Sequence, residues 1–132
     1  MTAGMDGQVR VLVVEDDERS GLLVEAVLAS AGYRSERARS VAEARTCLDA
    51  GLPAVVLLDL RLPDGSGAVV AREIRAAPGG EDVLILAVSA SVLEAVRRDA
   101  LESGCEGFVE KPISPRDLLS RIEQGRRDRA WR

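Results

Sequence analysis

Hydrophobic and polar positions along the chain alternate between two periodicities. Val9 to Glu15 (VRVLVVE) is a short, uninterrupted run rich in β-branched residues, the pattern of a strand covered on both faces. From Glu18 to Ala31 the period is that of a helix, with Leu22, Leu23, Ala26 and Val27 as the apolar stripe and Gly32 as the stop. A weaker strand over Tyr33 to Ala38 leads to Ser40, an N-cap with Glu43 three residues on, which predicts a capping box. Val41, Ala44 and Leu48 mark the buried stripe of the second helix, which ends near Gly51. Ala54 to Leu60 (AVVLLDL) is the most apolar strand candidate. The loop signals PDGSG, Pro63 to Gly67, precede a third helix reaching about Ala77. PGGED, Pro78 to Asp82, breaks the chain before an apolar strand over Val83 to Val88. Ser91 to Ser103 reads as a fourth helix with Val92, Val96 and Ala100 on one face, and Gly104 stops it. Gly107 to Glu110 is a short fifth strand, and Ser114 to roughly Gln124 a fifth helix with Leu118, Leu119 and Ile122 inward.

Five strands, each followed by a helix, predict an α/β fold with a parallel sheet covered on both sides. Right-handed crossovers bring the C-terminal ends of all five strands to one edge, where ligands of open α/β sheets bind. No boundary, low-complexity segment or sequence repeat interrupts residues 9–124. Residues 1–8 are left as an N-terminal extension and residues 125–132 as an arginine-rich C-terminal tail.

Composition narrows the chemistry. The 132 residues include only three aromatics, Tyr33, Phe108 and Trp131, so the core must be aliphatic. Histidine is absent, which excludes Ser-His-Asp and Cys-His catalysis, the commonest metal ligand, and a phosphohistidine carried by this chain. Cys47 and Cys105 lack any C-x-x-C spacing and are expected to be two unpaired thiols in a reducing compartment. The start MTAGMDGQVR lacks the pattern of a secretory signal, and no apolar run approaches the roughly 20 residues of a membrane span. A cytoplasmic protein is expected, without membrane contact. A net charge of −4 argues against a general nucleic-acid coat, and no direct DNA binding is expected. The tail GRRDRAWR reads as a solvated helix end, the root of a linker, or a contact surface for a partner or nucleic acid. Basic residues split into seventeen arginines and a single lysine, Lys111, which coding bias alone can largely explain.

The polar residues at strand ends carry the candidate chemistry. Glu15, Asp16 and Asp17 end the first strand, Asp59 the third, Ser89 the fourth and Lys111 the fifth. Crowded carboxylates resist ionisation unless a cation joins them, and hard, partly hydrated oxygen ligands suit Mg²⁺. Asp59 is then placed to attack phosphorus as a nucleophile, with Lys111 and the Ser89 hydroxyl stabilising phosphoryl oxygens. Each residue also has a plain structural use: a strand-end cap for Asp59, helix caps for the acidic trio and for Ser89, a surface position for Lys111.

VLVVEDD, VVLLDLRLPDGSG, ILAVSA and FVEKPI together resemble, in order and spacing, the four signature segments of the response-regulator receiver domain of two-component signalling. The resemblance covers about residues 9–124. It implies a CheY-like (βα)₅ sheet of order 2-1-3-4-5. It also implies a phosphoryl group supplied by a sensor histidine kinase or a histidine phosphotransfer protein. Asp59 becomes the phosphoacceptor, Glu15 and Asp16 the acidic pair, and Asp16, Asp59 and the backbone carbonyl of Arg61 the Mg²⁺ ligands. Ser89 becomes the switch hydroxyl, Lys111 the phosphoryl-binding amine and Phe108 the aromatic switch, although Phe108 also reads as a plain core residue. The Lys111–Pro112 bond is expected to be cis. The family further implies a phosphoacceptor switch rather than an enzyme, acting on a downstream protein through the face of the fourth helix, fifth strand and fifth helix, with a homodimer as one form. The segment SVLEAVRRDALESGCEGFVEKPI resembles receivers of hybrid kinases and of single-domain relay regulators more than those of DNA-binding regulators.

Departures from the pattern are small. Ser89 stands for the commoner threonine, Phe108 for tyrosine and Glu15 for aspartate, Asp17 adds a third acid, and Arg61 is bulky and cationic two residues after the acceptor. A phosphatase of the haloacid dehalogenase type would want an aspartate where Arg61 stands. A flavodoxin-like FMN module would want a Ser-, Thr- and Gly-rich loop where this chain has acids. A receiver module of a longer protein and a degenerate, binding-only receiver are the remaining alternatives.

Overall fold

The computed structural model describes residues 7–91 and 93–130. Expectations for residues 1–6, for Val92 on the fourth helix and for Trp131 therefore lie outside the described residues. Strands β1 (Arg10–Val14), β2 (Arg34–Ala38), β3 (Val55–Asp59), β4 (Leu84–Ser89) and β5 (Gly107–Glu110) alternate with helices α1 (Glu18–Ser30), α2 (Val41–Asp49), α3 (Gly67–Ala76), α4 (Glu94–Glu102) and α5 (Pro115–Ala130). All strand pairings in the five-stranded sheet are parallel, in the order β2-β1-β3-β4-β5. This is the expected doubly wound α/β topology. A two-residue antiparallel ladder, Arg61–Leu62 against Gly65–Ser66, closes the turn between β3 and α3.

Strand side chains point alternately to opposite faces, and the core divides accordingly. Leu12, Val14, Val56, Leu58, Ile85 and Ala87 pack with α2, α3 and α4 on one side of the sheet. Val11, Val13, Val55, Leu57, Leu86 and Val109 pack with α1 and α5 on the other. β3 is buried at all five positions, as its unbroken apolar run requires.

Four elements depart from the sequence reading. In α1 the buried residues are Gly21, Val24, Val27 and Leu28, while Leu22 and Leu23 are 54% and 41% exposed and Ala26 is also exposed. The run LLVEAVLA offers two apolar stripes, and packing against β2 and α5 selects the one that contains a glycine. At α2, Ser40 Oγ accepts from Glu43 N–H at 3.0 Å as predicted, but the Glu43 carboxylate accepts from Arg39 N–H, one residue before the cap. α4 starts at Glu94, three residues late. Ser89 Oγ accepts from Ser91 N–H and Ser91 Oγ from Leu93 N–H, so both serines hold local turns that compete with the first helical turn. α5 runs on to Ala130, well past Gln124. Its last turn is tied down: Arg129 bonds the Glu106 carboxylate and the Glu81 carbonyl, and Arg126 lies over the Tyr33 ring.

Arg75 on α3 joins the loops at the sheet edge remote from these serines. Its guanidinium donates to the carbonyls of Gly80 (2.6 Å), Val83 (2.7 Å) and Gly104 (2.7 Å) and to Glu106 (2.9 Å). Replacing Arg75 by methionine keeps the aliphatic stem but removes the guanidinium donor from those carbonyls, of which, among the described residues, Gly80 alone is seen to keep a backbone partner, Val83 N–H. We expect a loss of about 2–4 kcal/mol, read as a lower midpoint in urea with an unchanged slope. A loss under about 0.5 kcal/mol would show that water replaces the guanidinium without cost.

Candidate functional site

Parallel register sets the site. Val14 pairs with Leu58, Asp59 with Val88 and Ser89 with Glu110, so Glu15, Asp59, Ser89 and Lys111 fall on one edge of the sheet. Glu15 N–H donates to the Ala38 carbonyl and Lys111 N–H to the Ser89 carbonyl, extending the ladder to the site residues themselves. Glu15, Asp16, Asp17, Asp59, Arg61, Ser66, Ser89 and Lys111 line an open cleft of about 800 Å³. Leu60, Ala90, Leu93, Ala95 and Val96 supply its apolar lining.

Glu15 and Asp59 are buried, 4% and 7% exposed, and they share one cation. Lys111 Nζ lies 2.8 Å from Glu15 Oε1 and 3.0 Å from Asp59 Oδ2. The other Asp59 oxygen, Oδ1, accepts from Arg61 N–H at 2.9 Å. One ammonium does not balance two buried acids. Burial, and then the adjacent Asp59 carboxyl, push Glu15 up to about 7 against the pull of Lys111. At Lys111 burial works to lower the amine, and the bonds to Glu15 and Asp59 outweigh it, so the amine is held above its ordinary value. Glu15, Asp16 and Asp59 each offer an oxygen within 4.8 Å of the others, the donor set of a hard divalent cation.

The loop after Asp59 is fixed from two sides. Ser66 caps α3 through Ala68 N–H, and a Cβ on Gly67 would fall 2.1 Å from the Asp59 carbonyl oxygen, so only glycine lets α3 begin this close to β3. Asp64 accepts from Val41 N–H and Ala42 N–H at 2.8 and 3.0 Å, tying the loop to the start of α2. These backbone donors hold the Asp64 carboxyl below its usual range. In the sequence PDG predicts only a turn and carries no sign of these bonds.

The remaining candidates separate. Asp17, whose use was open, is the N-cap of α1: Oδ2 accepts from Ser20 N–H at 2.8 Å, and this bond holds its carboxyl low. Ser89 lines the cleft. Phe108 does not; its ring is half-buried against the core, with the Arg97 guanidinium 4.8 Å from its centroid and Arg97 also paired to Glu110. The Lys111–Pro112 bond is cis. Cys47 and Cys105 are free thiols, both pushed up to about 11, chiefly by burial, and neither reaches the cleft. No helix among the described residues is long and apolar enough to cross a membrane.

Comparison with known proteins agrees with this geometry. The family described as the response regulator receiver domain matches residues 11–123. The transcriptional regulatory protein AruR of Pseudomonas aeruginosa is 38% identical over 119 residues, which cover 86% of this chain and 48% of AruR. A putative response regulator from Chloroflexus aurantiacus superposes with a TM-score of 0.84 at 28% identity, over 89% of this chain and 97% of that one. The receiver domain of a Pseudomonas aeruginosa sensor histidine kinase, with a magnesium ion in its active site cleft, superposes at 0.82 with 30% identity. That match covers 89% of this chain and 96% of the other. The chain spans about half the length of the curated transcriptional regulatory proteins it matches.

Proposed function

The chain belongs to the response regulator receiver domain family of two-component systems, and we propose that it is a phosphoacceptor switch that takes a phosphoryl group on Asp59. The donor, as in the family, is a phosphohistidine of a sensor histidine kinase or histidine phosphotransfer protein, and that histidine lies outside this sequence, which has none. The observation that carries this reading is the arrangement of Asp59. It is a buried carboxylate at a cleft, one oxygen held by a backbone N–H and the other by a lysine that a second acid also holds.

The site fits Mg²⁺, because three carboxylates cluster beside one ammonium and Glu15 is raised, chiefly by burial and then by Asp59. Glu15, Asp16, Asp59 and the Arg61 carbonyl would hold the ion. When bound, Mg²⁺ neutralises the carboxylates and polarises a phosphoryl oxygen. In the transfer an Asp59 oxygen forms a bond to phosphorus as the donor's P–N bond breaks, and the electron pair returns to the imidazole. Arg61 N–H keeps the carboxylate from rotating. Lys111 can leave Asp59 for a phosphoryl oxygen while retaining Glu15. Ser89 Oγ accepts from Ser91 N–H, so its own proton is available to donate to the phosphoryl group.

Drawing Ser89 inward pulls the strand end toward the phosphoryl group and opens space for Phe108. That movement must break the Arg97–Phe108 contact, which links the ring to α4. The output is thus a shift between two packings of the α4–β5–α5 face, read by a downstream protein or by a second copy. The cleft takes and holds a phosphoryl group rather than turning over a substrate, and its place is the cytoplasm. The chain's matches include both transcriptional regulatory proteins and a sensor kinase's own receiver, which supports the reading of a receiver module within a longer protein; a stand-alone regulator is the alternative.

Incubation with acetyl phosphate and Mg²⁺ is the test. We expect intact mass spectrometry to show one added phosphoryl group per chain, and none when a chelator is present from the start. Failure of the wild-type chain to take any group under these conditions sinks the proposal.

A further inference from the structure

β2 contributes nothing to the acidic cluster, yet its last residues grip both ends of the loop that does. On one side of that loop Ala38 accepts Glu15 N–H at 2.9 Å. On the other, Arg37 reaches back over α1: Nη2 lies 2.8 Å from Glu18 Oε1, Nη1 lies 3.4 Å from the Glu18 carbonyl, and Nε lies 3.3 Å from Glu25. The Arg37 side chain is only 7% exposed, unusual for an arginine on an edge strand. Only three residues, Glu15, Asp16 and Asp17, separate β1 from α1. Of the clustered acids Glu15, Asp16 and Asp59, Asp16 is the exposed one, and it stands between the two anchors.

Gly21 explains how a guanidinium lies so close to a helix. A Cβ there would fall 1.8 Å from Arg37 Nη1 and 2.8 Å from its Cζ. A glycine inside a helix costs about 1 kcal/mol relative to alanine, and here it makes the slot in which Arg37 reaches Glu18. The glycine, the buried arginine and the two acids of α1 form one device.

We infer that Arg37 is a positioning residue for the metal-binding loop: by clamping the first turn of α1 against β2, it fixes where Asp16 stands beside Glu15 and Asp59. The inference rests on the reading of this cleft as a divalent-cation site. Arg37 touches none of the three acids through a hydrogen bond, and its role is exerted through Glu18. Charge and position make opposite predictions, which is what makes the idea testable. An arginine acting only through its charge repels a cation, so its removal tightens Mg²⁺ binding. An arginine that holds Asp16 in place weakens Mg²⁺ binding when lost, by about tenfold if it behaves as an outer partner of a metal ligand.

The experiment titrates Mg²⁺ by calorimetry into wild type, Arg37→Lys, Arg37→Gln and Gly21→Ala, with thermal midpoints measured in parallel without metal. Lysine keeps the charge but cannot span Glu18 and Glu25 together; alanine at 21 keeps both charge and side chain but evicts the guanidinium. We expect all three folded variants to bind Mg²⁺ about tenfold more weakly, with losses that do not follow their thermal midpoints. Unchanged affinity in Arg37→Lys and Gly21→Ala, or tighter binding in Arg37→Gln, overturns the positioning role and leaves the metal site standing. No binding by wild type overturns the metal site itself, and this inference with it.

Discussion

Asp59→Asn is expected to reduce phosphoryl uptake to the background of the intact-mass assay while leaving the domain folded. Asparagine keeps the shape and one acceptor oxygen, so the bond from Arg61 N–H survives. What it lacks is a carboxylate oxygen able to form an acyl phosphate. The electrostatic consequence separates this loss from unfolding. In the wild type, Glu15 and Asp59 share one ammonium, and Asp59 is among the causes that hold Glu15 up at about 7. Removing the Asp59 charge gives Lys111 wholly to Glu15, which then ionises more easily. Without metal and above pH 7, the variant is therefore expected to be as stable as wild type or more so. Uptake by Asp59→Asn equal to wild type would move the acceptor to another residue. A lower thermal midpoint at pH 8 would mean instead that the carboxylate, despite the crowding, is a net stabiliser.

The acids, the serine and the lysine were legible because a strand interior has no use for such side chains. Once the period-2 and period-3.6 segments are placed, parallel topology does the rest. β3 shows this most plainly: four buried aliphatics and then Asp59 leave one place for the carboxylate. Less was legible where two local patterns compete. The run LLVEAVLA supports two helical stripes, and the choice between them depends on Arg37 from β2 needing a slot at Gly21, a contact between residues far apart in sequence. Ser89 and Ser91 both suit a helix cap and both spend their hydroxyls on local turns, which delays α4. Arg75 and Asp64 were not legible at all, since their partners are mostly backbone groups of other segments, and backbone groups leave no signature in composition or spacing.

Lys111→Met tests the opposite arm of the same balance, and its effect depends on pH. Methionine matches the stem but removes the only cation that, among the described residues, bonds Glu15 and Asp59. Leaving two buried carboxylates without a partner costs about 3 kcal/mol when both are charged, or a midpoint lower by about 10 °C. Glu15 already titrates in the folded wild type at about 7 against its ordinary 4.5, so between those values the folded state binds more protons than the unfolded one. Its contribution to stability therefore falls as pH rises through that window and is constant above it. Without Lys111 the Glu15 carboxyl is pushed higher still, and the window extends upward. At pH 5.5 Glu15 is protonated in both proteins and can share its proton with Asp59, so the two midpoints lie close together. By pH 8.5 the gap reaches its full size, and millimolar Mg²⁺ narrows it by supplying the missing charge. Phosphoryl uptake at pH 7.5 is expected to fall about a hundredfold, since the amine that stabilises the phosphoryl oxygens is gone. A gap in thermal midpoint that stays constant from pH 5.5 to 8.5 would show that Lys111 acts through packing alone and that the crowding of Glu15 and Asp59 does not govern this site.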